Sequence, residues 1–392
     1  MTDIDPKSQH QFWNTQPVVQ LNEKPAEIGA ITIVEDIEQI PKEPYPLVPG
    51  FQWCVVNTQN EEEKLELYEF LRKHYVVHPQ NTFRFAYSPE FLDWALHPPG
   101  WRPEWLLGVR VESTNKIVGF ISAIPITVRA YEKTMQIVAV DFLSVHQGLR
   151  GKNMAPILIK EVTRRVNLTG IFQAIYTAGK LITQPFTTAQ YFHRLINYEK
   201  LVAIKFTTPR VGTDIKKEAR LHQLPKTLVS IPGFRAMKEE DVPQVTVNLN
   251  QKLESYKIAQ HFTEEEVRHN FLPRKGIVGS YVIEKRNVIE GFFSFYIVPS
   301  TVIDCPEYDN YTAAYIYYYY CKPSIFTDLA KAAMFMAHSE FGADVINCLN
   351  ILDNTELLNT LKFVPGDGKL NYYLFNYAVE TFKPEKCGVV LL

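Results

Sequence analysis

The chain repeats its own order of predicted elements, and this repeat limits the possible folds more than any other feature. Residues 61–75 predict a helix because apolar side chains recur at helical spacing behind three glutamates. β-rich runs follow between residues 105 and 145, and a second helix is predicted from about residue 155. The same order returns between residues 263 and 340, so we expect a duplicated α+β unit.

One segment repeats almost literally. The sequence NKIVGFIS at Asn115–Ser122 returns as NVIEGFFS at Asn287–Ser294, at matching places in the two halves. The second half also opens with Thr263 and Glu266 at capping-box spacing, which predicts the start of a helix. The short repeat and its context together favour an internal duplication.

The length of 392 residues exceeds that of one ordinary core, so two domains or a fused double domain are expected. The segment QIPKEPYPLVPG at residues 39–50 is rich in proline and predicts an extended connector. We therefore divide the chain into an N-terminal arm with connector at 1–50, a first half at 51–210 and a second half at 211–392.

Composition excludes several classes of function. The 41 basic and 43 acidic residues nearly cancel, so no overall field favours nucleic acid or an anionic membrane. The five cysteines are widely spaced and lack metal-ligand patterns, which favours a reducing compartment and no metal. No run reaches the roughly 20 apolar residues of a membrane span, and no secretory signal is present. These features predict a cytoplasmic protein without a transmembrane segment.

A basic, glycine-containing loop predicts an anion site. Residues 140–146 form a predicted strand, residues 147–155 a loop, and the loop opens a helix. Backbone N–H groups at a helix N-terminus bind phosphate, and Arg150 and Lys152 add positive charge. Neither common phosphate-loop motif is present, which disfavours nucleotide triphosphate chemistry. The alternative is a solvated basic turn.

The chain ends in an unusually apolar sequence. Residues 388–392 read GVVLL, where most termini are polar and frayed. Such an end either packs for stability or holds its α-carboxylate at a chosen place.

Several parts of the sequence resemble known proteins. The loop at 147–155 resembles the pyrophosphate loop of GNAT acyl-CoA transferases, with Arg150 and Ala155 matching and Asn153 where glycine is usual. Longer strings, spread over residues 10–392, resemble the N-myristoyltransferase family. These strings are FWNTQPV at 12–18, FRF at 83–85, YSPEF at 87–91, PPGW at 98–101, LIKEVTRR at 158–165, AIYTAG at 174–179, YFHR at 191–194, KF at 362–363, GDG at 366–368 and GVVLL at 388–392.

The resemblance implies a fold and an activity. The fold would be two GNAT-like halves fused about a pseudo-twofold axis, with a saddle-shaped mixed sheet flanked by helices. The first half would bind myristoyl-CoA, the second would form most of a peptide groove, and a tetradecanoyl group would pass to an N-terminal glycine. CoA would leave as product, without a metal or other cofactor, and the protein would act as a monomer. The alternatives are an acetyl-CoA-dependent GNAT enzyme and an inactive acyl-CoA or peptide-binding pseudoenzyme.

The resemblance also implies site residues. The terminal carboxylate of Leu392 would be the general base, the amides of Phe142 and Leu143 the oxyanion hole, and Thr177 would help to hold the amine. Residues that match the CoA site are Gln11, Phe12, Trp13, Phe142, Leu143, Ser144, Val145, Arg150, Gly151, Lys152, Asn153, Met154 and Ala155. Residues that match the peptide site are Tyr75, Phe83, Phe85, Tyr87, Asp141, Thr177, Tyr191, His193, Tyr296, Ser300, Asn347, Leu349 and Asp367. For His193, a hydrogen-bonded core histidine is the alternative.

The chain departs from the family pattern at four places. Residues 77–80, VHPQ, replace an acidic run, so we expect a weaker preference for lysine in the peptide, with Asp367 retaining part of it. Asp141 replaces an asparagine and either shares the work of the base or is a tolerated polar exchange. Ser144 replaces cysteine and Gln147 replaces lysine, changes that bear on CoA affinity.

Overall fold

The computed structural model describes residues 11–33, 36–76, 82–209, 211–228, 230–303 and 305–392. Its strands are β1 (Phe51–Val55), β2 (Phe83–Phe85), β3 (Leu106–Val111), β4 (Ile117–Ala130), β5 (Lys133–Val145), β6 (Ala174–Ala178), β7 (Thr187–Leu195), β8 (Phe234–Ala236), β9 (Ile258–Gln260), β10 (Val278–Lys285), β11 (Val288–Val302), β12 (Asn310–Cys321), β13 (Val345–Leu349), β14 (Val364–Phe375) and β15 (Cys387–Gly388). Its helices are α1 (Glu61–His74), α2 (Pro89–Leu96), α3 (Met154–Asn167), α4 (Tyr198–Ala203), α5 (Ile215–His222), α6 (Val242–Leu253), α7 (Glu264–Phe271), α8 (Pro323–Ser339) and α9 (Thr355–Leu358).

One continuous mixed sheet has nearly the same plan when it is read from either end. Its order is β1-β3-β4-β5-β6-β14-β7-β13-β12-β11-β10-β8. The antiparallel meander β3–β4–β5 corresponds to β10–β11–β12, and each meander is followed by a helix and then a parallel strand, β6 or β13. The predicted α+β duplication is confirmed, with its pseudo-twofold axis between β14 and β7.

The two halves exchange strands across this axis. β7 follows β6 in the chain but pairs with β13, whereas β14 follows β13 but pairs with β6. The short strand β2 of the first half pairs with β11 of the second, and β9 of the second half pairs with β4 of the first. Each half therefore completes the sheet of the other, and one apolar core extends through both.

Local sequence explains the helix ends that frame the site. The Asn60 side chain caps α1 by accepting the amides of Glu62 and Glu63, and the capping box of Thr263 and Glu266 starts α7 as predicted. Three glutamates, residues 61–63, follow the α1 cap and complement the helix dipole.

Helix α3 begins at Met154, one residue before the predicted start. It buries Leu158, Val162 and Val166 against the sheet, as their spacing predicts. This packing fixes the direction of α3, whose N-terminus lies directly after the basic loop. Within the described residues, no helix is long and apolar enough to cross a membrane.

Candidate active site

A cavity of about 970 Å³ lies at the centre of the molecule, where the two halves meet. It has an apolar arm between β4, α3 and β6, lined by Ile121, Ile159, Val162 and Ala174. Its other arm is aromatic and polar and is lined largely by strands β2, β7 and β11–β13. A large apolar pocket with few polar groups is typical of a ligand site.

A β-bulge in β5 lies in the wall between the two arms. Phe120 pairs with Ser144, but Ser122 pairs with Asp141, so Ile121 opposes both Phe142 and Leu143. Phe142 has a φ of 53°, a left-handed conformation that is unusual for a large side chain. The bulge takes these two residues out of the regular ladder, and both of them line the cavity.

Asp141 precedes the bulge and holds part of it. Its Oδ1 accepts hydrogen bonds from the Tyr75 hydroxyl and from the Phe142 N–H, both at 2.7 Å. The part of Asp141 that remains accessible lies on the cavity wall. Burial raises the pKa of Asp141 to about 6, although the hydrogen bonds from Tyr75 and Phe142 act to lower it. A carboxylate therefore stands beside the proposed oxyanion hole.

The C-terminal segment is held in place by the second half. Strand β15 pairs in parallel with β9, and the Tyr318 hydroxyl accepts the Val390 N–H at 2.9 Å and donates to Gln260 Oε1 at 3.1 Å. Val389 and Val390 are buried, whereas Leu391 and Leu392 are half-buried and line the cavity.

The last residue lies where two cavities meet. Leu392 lines the central cavity and a neighbouring one of about 50 Å³, and Asp141, Phe142 and Thr177 line both as well. The structure thus brings together four of the five residues to which the sequence assigned the chemical step or the amine, and the fifth, Leu143, lines the central cavity alone. Their roles stay predictions.

The basic loop presents backbone amides, but its arginine is already engaged. Arg150 donates to the carbonyls of His74 at 2.6 Å and Val145 at 3.4 Å, so it ties the loop to the end of α1. Gly151 and Asn153 have φ values of 75° and 60°. Among the described residues, no hydrogen-bond partner is found for the N–H groups of Gly151, Asn153, Met154 and Ala155.

The basic side chains around the loop differ in their burial. Burial lowers the pKa of His74 to about 4, and the neighbouring His146 and Arg150 add to this effect. The rings of His74 and His146 lie 4.4 Å apart, while Lys152 is exposed. An anion bound at the loop would therefore meet backbone dipoles and Lys152 first, and Arg150 would act mainly by shaping the loop.

The N-terminal segment of the chain covers one side of the apolar part of the cavity. Trp13 lines the cavity and stacks on Tyr176, with ring centroids 5.3 Å apart and an interplanar angle of 10°. Phe12 packs edge-on against Trp13 at 5.1 Å, and Gln11 is exposed. Ser144 and Val145 are buried beyond the bulge and are not among the described residues that line the cavity.

Most of the predicted peptide-site residues line the aromatic arm. They are Tyr75, Phe83, Phe85, Tyr87, Asp141, Thr177, Tyr191, His193, Tyr296, Asn347 and Asp367. Ser300 and Leu349 are different, because both are buried beside the arm and outside the described wall of the cavity. The replaced acidic run at 77–80 lies outside the described residues, so its prediction is unaffected.

His193 is oriented rather than free. Its Nδ1 lies 2.7 Å from Asn347 Oδ1, and burial lowers its pKa while Asn347 and Asp367 oppose that effect. A β-carbon at Gly366 would lie 2.2 Å from His193 Nε2, so glycine is needed for the loop to pass the ring. His193 thus lines the cavity, as a peptide-site residue would, and is also hydrogen-bonded, as the alternative of a core histidine implies.

Sequence reasoning missed two groups of cavity residues. The first is Lys205, Phe206, Thr207 and Thr208, in the connection after α4. No pattern marks this connection, because loop residues are placed by tertiary packing. The second is Ile159 and Thr163 of α3, whose position beside Val162 on the helix could have indicated an apolar pocket.

The fold and the site together define an N-acyltransferase that uses an acyl-CoA. Residues 30–189 match the N-terminal domain of myristoyl-CoA:protein N-myristoyltransferase and residues 203–390 its C-terminal domain. The chain belongs to this family.

Relatives support the same assignment over the whole chain. The chain is 44% identical over 386 residues to glycylpeptide N-tetradecanoyltransferase 2 of Danio rerio, covering 98% of the chain and 78% of that protein. It is 42% identical over 389 residues to the glycylpeptide N-tetradecanoyltransferase of Schizosaccharomyces pombe, covering 94% and 83%. Saccharomyces cerevisiae N-myristoyltransferase, solved with bound myristoyl-CoA, superposes with a TM-score of 0.94 at 36% identity and covers all of both chains.

Proposed function

We propose that this chain transfers a tetradecanoyl group from myristoyl-CoA to the N-terminal glycine amine of proteins. Its relatives are named for this activity, and its cavity has an apolar arm and a polar arm that meet at one strand bulge. The observation that carries the proposal is the meeting of Phe142, Thr177 and the terminal residue Leu392 at this junction.

The apolar arm suits the acyl chain. Its described lining includes Ile121, Ile159, Val162, Ile182 and Phe375, from elements of the first half and from β14. Burying each methylene of a fatty chain contributes about 0.8 kcal/mol, so an apolar arm favours a long chain over an acetyl group. Trp13, from the N-terminal segment of the chain, lines this part of the cavity and stacks on Tyr176.

The basic loop suits the phosphates of CoA. The amides of Gly151, Asn153, Met154 and Ala155 are available there at the N-terminus of α3. This arrangement gives the first half the role of binding the co-substrate. The second half supplies β11, β12 and β13 to the aromatic arm, which suits an extended peptide.

The chemical step requires an oxyanion hole and a base. Attack on the thioester places negative charge on the carbonyl oxygen, and one preorganised donor contributes about 2.7–4 kcal/mol to such a transition state. The bulge takes Phe142 and Leu143 out of the regular ladder, which supports this role for their amides. The glycine amine, with a pKa of about 8, must lose a proton, and the α-carboxylate of Leu392 accepts it while Thr177 helps to hold the amine.

Mass spectrometry tests the proposed activity directly. The full chain is incubated with a glycine-first peptide and either myristoyl-CoA or acetyl-CoA, and peptide mass and released thiol are both measured. We expect the peptide to gain a tetradecanoyl group and to react far more slowly with acetyl-CoA. Preferred acetylation would identify a GNAT acetyltransferase, and binding of myristoyl-CoA without product would identify a pseudoenzyme.

A variant that lacks only Leu392 tests the terminal carboxylate. Deletion moves the carboxylate by one residue, so single-turnover transfer should fall by about 10²-fold or more, within the range for general bases. A variant with one added C-terminal glycine is the matched control, since it displaces the carboxylate in the other direction and retains Leu392. Unchanged chemistry in the deletion variant would rule out an essential terminal base.

The finer features follow from the same proposal. We infer a monomer that acts in the cytoplasm, on peptides whose lysine preference is weaker than in relatives with the acidic run. Asp367 is exposed on the cavity wall and would supply the remaining preference. Peptides with lysine changed to alanine should therefore lose less activity here than with a relative that has the acidic run, and equal losses would contradict this.

A further inference from the structure

The carboxylate of Asp141 is anchored through one of its oxygens. Oδ1 accepts the Tyr75 hydroxyl and the Phe142 N–H, each at 2.7 Å, which fixes the orientation of the group. Among the described residues, Oδ2 has no hydrogen-bond partner. Asp141 lines both cavities at the catalytic junction, so one carboxylate oxygen is preoriented and unoccupied at the place where a substrate group must pass.

No cation of the described residues is paired with this carboxylate. The titratable groups that face it are phenols, Tyr75 after α1, Tyr87 before α2 and Tyr191 on β7, together with the terminal carboxylate of Leu392 on the same wall. Burial raises the pKa of each phenol, and the charge of Asp141 adds to this, so these phenols stay neutral. A buried carboxylate without a counter-ion is costly, and a bound cation would relieve that cost.

The incoming glycine supplies the missing cation. Its α-amino group arrives mostly as ammonium at neutral pH. We propose that Oδ2 of Asp141 binds this ammonium and accepts its first proton, so that the enzyme uses two carboxylates where one terminal base was expected. This inference rests on the proposed function and assigns to Asp141 a catalytic role in the same reaction.

The glycine nitrogen must lose two protons, and we assign one to the Asp141 carboxylate and one to the Leu392 carboxylate. The first N–H bond breaks as Oδ2–H forms on Asp141, and the neutral amine attacks the thioester carbon. The carbon–sulfur bond then breaks, and the second proton passes through the Leu392 carboxylate to the departing thiolate. CoA leaves as the thiol, the amide is complete, and Asp141 returns its proton to solvent after product release.

Protonation of Asp141 also affects the oxyanion hole. A carboxylate accepts a stronger hydrogen bond than a neutral carboxyl group does. Uptake of the proton therefore weakens the hold of Asp141 on the Phe142 N–H, at the moment when the thioester oxygen needs that donor. Loss of the substrate proton and opening of the oxyanion hole become linked through one residue.

The Asp141→Asn variant tests this proposal, because asparagine is isosteric and keeps an acceptor for Phe142. Single-turnover transfer is measured from pH 5.5 to 9 with saturating myristoyl-CoA. We expect a loss of about 10–100-fold at pH 6.5 that narrows toward pH 9, where solution supplies the free amine. The matched control is Asp328→Asn, an exposed residue of α8 with the same change of charge.

A binding measurement is independent of turnover. Affinities of a glycine-first peptide and its N-acetylated form are compared in the presence of a non-hydrolysable myristoyl-CoA analogue. The wild type should prefer the free amine, and D141N should lose about tenfold of this preference. A rate loss that is equal at every pH, an unchanged rate, or an unchanged amine preference would each overturn the proposal. If the wild type makes no product, the proposed function fails, while the amine preference still decides the role of Asp141.

Discussion

The two halves of the molecule place a bulge at nearly the same point of the same meander, but only one bulge borders the cavity with a rearranged backbone. In the first half, Ile121 opposes Phe142 and Leu143, and Phe142 takes a left-handed conformation. In the second half, Ser294 opposes Tyr317 and Tyr318, one residue further along in the repeat. The two halves thus hold one bulge at the cavity, which is the proposed oxyanion hole, and one bulge whose Tyr318 contacts the C-terminal segment.

The second bulge is closed by its own side chains. Ser294 Oγ donates to the carbonyl of Tyr318 at 3.0 Å and accepts its N–H at 3.2 Å, so the Tyr318 N–H is already engaged. The Tyr318 hydroxyl instead reaches the C-terminal segment. The second half therefore holds the C-terminal segment, whose carboxylate we propose to act beside the bulge of the first half.

The loops after the two meanders differ in the same way. In the first half, eight residues separate β5 from α3, and no hydrogen-bond partner is found among the described residues for the N–H groups of Gly151 and Asn153. In the second half, α8 begins two residues after β12, with Pro323 at its first position. A proline there offers no N–H group, so the start of α8 lacks one of the amides that the start of α3 presents.

The largest difference between the halves is expected for substitutions at the start of α3 and of α8, measured as affinity for myristoyl-CoA. Ala155→Pro removes one amide of the proposed phosphate site at a helix position that tolerates proline. Losing a hydrogen bond to a charged group costs about 1.5–3 kcal/mol, so myristoyl-CoA should bind about 10–100-fold more weakly by calorimetry. Ser324→Pro at the matching position of α8 should leave affinity unchanged, and equal losses in both would refute the comparison.

The next effect concerns the closed bulge. Tyr318→Phe leaves the Val390 N–H and Gln260 without their shared partner, so the terminus should shift and the single-turnover rate fall by about tenfold. Tyr319→Phe is the control, since its hydroxyl also makes two hydrogen bonds, to Asn354 and Asp353, away from the terminus. Similar rate losses in both variants would show a general effect on stability.

Removal of the two corresponding serines should affect stability unequally. Ser294→Ala leaves the buried Tyr318 N–H without a partner and should cost about 1–3 kcal/mol in chemical denaturation. Ser122 donates only to the Asp141 carbonyl, at 3.1 Å, so Ser122→Ala should cost less than about 1 kcal/mol. The reverse order would mean that the bulge of the first half is the better supported one.

The smallest effect on the free energy of unfolding is expected at two hairpins that are alike in the two halves. Asn115 and Asn287 occupy matching hairpins with φ values of 54° and 61°. Glycine adopts such angles readily, so each change to glycine should alter the free energy of unfolding by no more than about 0.5 kcal/mol. A marked difference between the two variants would place functional strain in a hairpin where we assign none.

The sequence predicted the features that depend on local pattern. The repeat, the α3 face and the capping box of Thr263 and Glu266 follow from side-chain spacing, and the structure confirms them. The partner of Arg150 and the positions of Ser300 and Leu349 depend on packing between distant segments, which spacing does not report. The bulge at Phe142 and Leu143 could not be predicted either, because phenylalanine rarely adopts the left-handed backbone conformation that Phe142 has.

The exchange of β7 with β14 and of β2 with β9 has a historical consequence. Two identical chains that trade equivalent elements about a twofold axis form a swapped homodimer, and the present chain has the geometry of such a dimer joined end to end. An ancestor of this kind would have held two equal sites per dimer. Fusion of two such chains would let each copy change alone, which fits a molecule in which one half borders the proposed oxyanion hole and the other holds the C-terminal segment.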